Sequence, residues 1–170
     1  MTEHQVKETV AESIKAVRAE KPTLDYEHVT ERCIAHRLAV HLEERFSGWN
    51  VDAEYNRDEQ ERKMLERIHE CRGSTSDAIF PDIIVHHRER SGRKNNLLVV
   101  ELKRHCIEDA CDRRKLELLT APDGDYAYRL GLYININGGA FDCAWYKNGR
   151  AARVTLSRNR IVAAPSQPRV

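Results

Sequence analysis

Residues 81–103 read PDIIVHHRERSGRKNNLLVVELK. Two aliphatic runs, IIV and LLVV, flank the polar segment RERSGRKNN, which predicts a β-hairpin with strands from about 81 to 88 and from about 97 to 103. Side chains of a strand alternate between faces, so Glu101 and Lys103 emerge together while Leu102 points the other way. Pairing of the two runs sets Asp82 beside the Glu101 face. Two carboxylates and an ammonium at one end of a small sheet suit a divalent cation and a phosphate better than they suit a core.

Upstream, Val6, Val10, Ile14 and Val17 recur at helical steps and predict an amphipathic helix over 4–19, ended by Lys21 and Pro22. A second helix is expected through TLDYEHVTERCIAHRLAVHLEERF, capped by Thr23 or Asp25, with Ile34, Leu38 and Leu42 as its stripe. Glu31 projects from that apolar stripe, where an unpaired carboxylate is costly. Glu27 lies one turn earlier on nearly the same face, and Glu54 in the following strand is a further acid to weigh. That strand alternates Val51, Ala53 and Tyr55 with Asp52 and Glu54. Residues 58–72 carry Met64, Leu65, Ile68 and Cys71 at roughly helical steps and read as a short helix or an ordered loop.

Downstream, RHCIEDACDRRKLELL places Ile107, Ala110, Cys111, Leu118 and Leu119 on one helical face. RLGLYINI reads as a buried strand, and FDCAWYK-NG-RAARVTL as a hairpin with an Asn-Gly type I′ turn. The fold class expected is α/β, an α+β sandwich with helices flanking one mixed central sheet, in a single domain over 1–156. Residues 157–170 form a basic tail with two prolines.

The chain has 170 residues, 41% of them apolar, enough for one domain with a substantial core. No run approaches the ~20 apolar residues of a membrane span, and the charged, helix-patterned start is unlike a secretory signal. Five cysteines, at 33, 71, 106, 111 and 143, are odd in number and lack CxxC spacing. They predict reduced thiols in a cytoplasmic protein, with neither a disulfide frame nor a zinc knuckle. The net charge of +1 conceals a polarity. Residues 1–85 hold 12 Lys/Arg against 18 Asp/Glu, residues 86–115 hold 9 against 5, and residues 141–170 hold 6 against 1. The ordinary reading of such charge is a set of solvated faces; the functional one is a surface for a polyanion.

Pro81–Asp82, followed by Glu101–Leu102–Lys103 and preceded by a helix carrying Glu31, resembles the PD-(D/E)xK nuclease superfamily, the restriction-endonuclease-like fold. The likeness covers roughly residues 25–136 and includes the order helix, three-stranded meander, helix, strand. The stretch is similar to small stand-alone bacterial members of that superfamily with no assigned role. The resemblance implies a magnesium-dependent nuclease, manganese substituting, that hydrolyses DNA phosphodiester bonds, with RNA as an open alternative. It implies Asp82 and Glu101 as metal ligands and the Leu102 carbonyl as a third. Glu31 would complete the shell directly or through water, and Lys103 would position or activate water. Restriction, phage defence or a mobile element is the setting such proteins have, and a homodimer is one route to cutting both strands.

Arg88, Arg90, Arg93 and Lys94 in the hairpin loop, with Lys115, Arg150, Arg153, Arg158 and Arg160, are candidate phosphate contacts. Asp112 and Lys115 stand as either phosphate-side groups or a structural pair. The competing readings are an ordinary Glu101–Lys103 ion pair on a solvated face and Asp82 as a strand-starting cap. For the whole chain, the rival is a nuclease-like module that binds nucleic acid or a partner protein without cutting. His86–His87 and His36 with His41 lack metal-ligand geometry, His105 with Cys106 and Cys111 resembles a partial zinc site with too few ligands, and Trp49, Trp145 and Tyr146 read as core or strand aromatics.

Overall fold

A computed structural model describes residues 1–20, 28–55, 57–58, 61–62, 64–65, 78–105, 110–137 and 139–152. Helix α1 (Glu3–Ala19) begins at a reciprocal cap, in which Thr2 accepts the Gln5 amide and the Gln5 side chain accepts the Thr2 amide. Its valine–isoleucine stripe, Val6, Val10, Ile14 and Val17, is buried as the spacing predicts. Helix α2 (Glu31–Arg45) is capped by Thr30, whose hydroxyl accepts the Cys33 amide. The expected caps Thr23 and Asp25 lie outside the described residues, as does Glu27. Glu20, at the end of α1, clamps α2: its carboxylate accepts from the Arg37 guanidinium at 2.7 Å and lies 2.7 Å from His41 Nε2.

The strands are β1 (Asn50–Ala53), β2 (Arg57–Asp58), β3 (Glu61–Arg62), β4 (Ile83–His86), β5 (Asn96–Arg104), β6 (Leu130–Asn137), β7 (Ala140–Lys147) and β8 (Arg150–Ala151), with α3 (Ala110–Thr120) between β5 and β6. Six of them form one mixed sheet in the order β1-β4-β5-β6-β7-β8, and β2 pairs with β3 alone. Among the described residues only the β5–β6 pair is parallel, joined through α3. Within the segment 58–72, Asp58, Glu61 and Arg62 belong to this two-stranded ribbon; 59–60, 63 and 66–72 lie outside the described residues. Asn148 (φ 52°) and Gly149 (φ 72°) both adopt left-handed backbone between β7 and β8, as a type I′ turn requires.

The sheet separates two apolar layers. α1 and α2 cover one face with Val6, Val10, Ile34, Leu38 and Leu42, meeting Val85, Val100 and Leu102 of the sheet. Leu116 and Leu119 of α3, with Tyr126 and Tyr128, cover the other and meet Ile84, Val99 and Tyr133. β4 and the first seven residues of β5 are buried on both faces, which is why both read as unbroken aliphatic runs. α3 approaches β6 closely because Gly131 has no side chain: a Cβ there would sit 3.0 Å from Thr120 Cγ2 and 3.1 Å from Tyr146 Cβ.

The α3 stripe departs from its sequence reading. The buried residues are Asp112, Lys115, Leu116, Leu119 and Thr120, whereas Ala110 is exposed, Leu118 is half-buried and Ile107 lies outside the described residues. Apolar periodicity misses a helix whose inner face opens with two charges. The thiol expectation is also corrected. Cys111 is disulfide-bonded, Cys33 and Cys143 are free, and Cys71 and Cys106 lie outside the described residues. Among the described residues no helix is long and apolar enough to cross a membrane.

Candidate functional site

The β4–β5 register pairs Ile83 with Val100, so one step beyond the end of β4 Asp82 comes opposite Glu101. There the ladder would leave the Leu102 amide open, and Asp82 Oδ2 accepts it at 2.7 Å. This is what a strand-starting cap does, and it also brings Asp82 to the Glu101 face. Burial raises the Asp82 pKa against the opposing pull of that amide bond and of Lys103 and Lys115.

Glu101 is 1% exposed. Its face is covered by α3, not by solvent, and its ion-pair partner is Lys115 (Oε2 to Nζ, 2.6 Å) rather than Lys103. The reading of Glu101 and Lys103 as a surface pair is thereby corrected. Glu101 Oε1 is buried with no hydrogen-bond partner. Burial above all, then the neighbouring Asp82 and Asp112, raises the carboxyl pKa well above the usual range despite Lys115.

Lys103 extends to the same end, 3.0 Å from Asp112 Oδ2 and 3.6 Å from Glu31 Oε2. Burial works against its charge, yet the surrounding acids outweigh burial and raise its pKa, so it is an ammonium at neutral pH. Glu31 occupies the first turn of α2, where a carboxylate also complements the helix dipole. Its Oε1 accepts the Arg104 amide at 2.9 Å, tying the start of α2 to the end of β5, and the Arg104 guanidinium bonds the Val29 carbonyl.

α3 supplies what sequence reasoning ranked low. Asp112 bridges both lysines, with Oδ1 3.0 Å from Lys115 Nζ. Burial disfavours its charge, but Lys115 and Lys103 prevail and hold its pKa below the usual range. The same balance, Glu101 and Asp112 against burial, raises that of Lys115. The available signal was the order Asp112, Lys115, Leu116, Leu119, an inward face at i, i+3, i+4, i+7 that begins with charge.

Four carboxylates (Glu31, Asp82, Glu101, Asp112) thus share one sheet end with two ammonium groups. Fully ionised, they leave two negative charges uncompensated, and a buried carboxylate oxygen lacks a donor. A small divalent cation would bring that missing charge and take carboxylate oxygens. Among the described residues, no group of three or more His, Cys, Asp or Glu side chains converges closely enough to hold a metal ion. Glu31 is engaged by Lys103 and Arg104 instead. Left-handed backbone at Glu54 (φ 50°) and His105 (φ 52°) flanks the site; the Glu54 amide donates to the Asp82 carbonyl at 3.2 Å. The Glu54 carboxylate turns to Arg32, at 2.7 Å.

The basic candidates divide. Lys115 is 2% exposed and locked between two acids, so its assignment as a phosphate contact is corrected. The hairpin loop lies at the other end of β5, about five residues or ~17 Å from Glu101. There Arg88 pairs with Asp52 through both Nε (2.9 Å) and Nη2, beside His86. Arg93 donates to Asn148 at 2.9 Å, joining this loop to the β7–β8 turn and Arg150. Arg90, Lys94 and Arg150 are exposed; Arg153, Arg158 and Arg160 lie outside the described residues. Trp49 stacks on His87 with centroids 4.1 Å apart, and Tyr146 is core. Comparison with models of protein families, with curated proteins and with solved structures finds no match to this chain.

Proposed function

We propose that this chain is a divalent-metal-dependent phosphodiesterase that hydrolyses DNA, built on a restriction-endonuclease-like core. The observation that carries the reading is Glu101: a buried carboxylate with an unpartnered oxygen, opposite Asp82 and beside an ammonium, at the open end of a hairpin. The order α2, β1-β4-β5 meander, α3, parallel β6 supports that core.

Asp82 and Glu101, with the Leu102 carbonyl, would hold magnesium, and Glu31 would join through water. When bound, the ion would lower the pKa of a water and neutralise charge on the phosphoryl oxygens. The chain's own groups do the rest. Lys103, held as an ammonium, orients a water and neutralises a non-bridging phosphate oxygen; a charged amine does not take a proton, so general-base work falls elsewhere. Asp112 fixes Lys103 in place. Arg90, Lys94 and Arg150, at the far sheet end, contact backbone phosphates away from the scissile one and position without reading sequence. One such site cuts one strand, so a homodimer or a second nick would complete a double-strand break. Restriction, phage defence or a mobile element, in the cytoplasm, would be its setting; the disulfide at Cys111 lends the compartment no support.

The second reading is a module that binds without cutting. It is favoured by the Lys115 ammonium on Glu101 and by the lack of a converged three-acid group among the described residues. Supercoiled and linear DNA incubated with Mg²⁺, Mn²⁺ or EDTA, beside Asp82→Ala and Lys103→Ala, separates the two. Metal-dependent cutting by the parent alone supports the nuclease. Salt-sensitive binding without cleavage supports the module. Equal cutting by all three proteins marks a contaminant and defeats the proposal.

A further inference from the structure

We infer that the Lys115 ammonium is a tethered cation standing where a second divalent ion would otherwise sit, so that the site accepts one ion only, at the Glu101 oxygen Lys115 leaves unused. The inference rests on the metal-site reading above and adds its stoichiometry. Nζ bridges Glu101 Oε2 at 2.6 Å and Asp112 Oδ1 at 3.0 Å, the arrangement in which two carboxylates share one cation. An ion bridging the two carboxylates would need both oxygens at about 2.0–2.1 Å, in the space that Nζ already fills. Like charges a few ångströms apart in a poorly solvated interior repel strongly.

Lys115 is also unable to withdraw. It is buried, and its Nζ is held by both acids, at 2.6 Å and 3.0 Å. Its helix is pinned by Leu116 and Leu119 and by the close approach over Gly131. Glu101 Oε1, in contrast, has no partner. One oxygen of this carboxylate is therefore committed to an internal cation and the other is left for an external one.

The test is Mn²⁺ titration of metal-stripped protein, with free Mn²⁺ read by electron paramagnetic resonance. Only ions whose binding is lost in Glu101→Gln are counted. One ion per chain is expected. Two per chain overturn the inference while leaving the metal-site reading intact, and no binding overturns both. In Lys115→Ala the space between Glu101 and Asp112 opens, and a second ion per chain is expected. A Lys115→Ala protein with parental circular dichroism that still binds one overturns the inference. Should that variant fail to fold, the parent's stoichiometry decides alone.

Discussion

The Glu101–Lys115 contact, perturbed from its two ends, separates a site from a structural ion pair. In an isolated buried pair, removing either partner strands the other, and each removal costs about 3–5 kcal/mol. Here the ends are not equivalent. Lys115→Met leaves Glu101, Asp112, Asp82 and Glu31 facing Lys103 alone, so its loss falls in that range of about 3–5 kcal/mol. Glu101→Gln keeps an oxygen for Lys115 and puts an uncharged amide in place of a carboxyl whose charge burial already disfavours and whose Oε1 has no partner. A buried charged acceptor without a donor costs at least about 1–3 kcal/mol, so Glu101→Gln is expected to stabilise the metal-free protein by about 1 kcal/mol. The assay is urea unfolding in EDTA near neutral pH, followed by circular dichroism. A Glu101→Gln protein destabilised as much as Lys115→Met would refute the reasoning and return the pair to a purely structural role.

Glu20 has its pKa lowered to about 2, chiefly by the Arg37 guanidinium, so its contribution is complete above the ordinary value of 4.5 and disappears as pH falls toward 2. Glu20→Gln is therefore expected to unfold earlier than the parent at neutral pH, with the gap closing between pH 4.5 and 2 in a series of thermal melts. Gly131→Ala forces a Cβ to within 3.0 Å of Thr120 and 3.1 Å of Tyr146. A loss of about 1–3 kcal/mol in urea unfolding is expected, from overpacking between α3 and β6.

Most of the sheet was legible because its signals are local. The runs IIV and LLVV, the Asn148–Gly149 turn and the α1 stripe each state their own geometry, whereas the register shift between Val85 and His86 has no such mark. The convergence of Asp82, Glu101 and Lys103 at one sheet end was legible for the same reason. α3 was not. Its inward face opens with Asp112 and Lys115, and a pattern search that equates buried with apolar rotates such a helix away from its true orientation. The partner of Glu101 was lost with it, since Lys103 is the lysine nearest in sequence and Lys115 the one nearest in space. The start of α2 was missed because Thr23 and Asp25 are cap residues by type, a signal that Thr30, whose hydroxyl accepts the Cys33 amide, carries equally.

The most direct measurement is a crystal soaked in Mn²⁺ and recorded at the manganese absorption edge. The account predicts one anomalous peak per chain at about 2.1 Å from an Asp82 oxygen and Glu101 Oε1, with Lys115 still on Oε2. No peak there, or a peak only elsewhere on the surface, contradicts it.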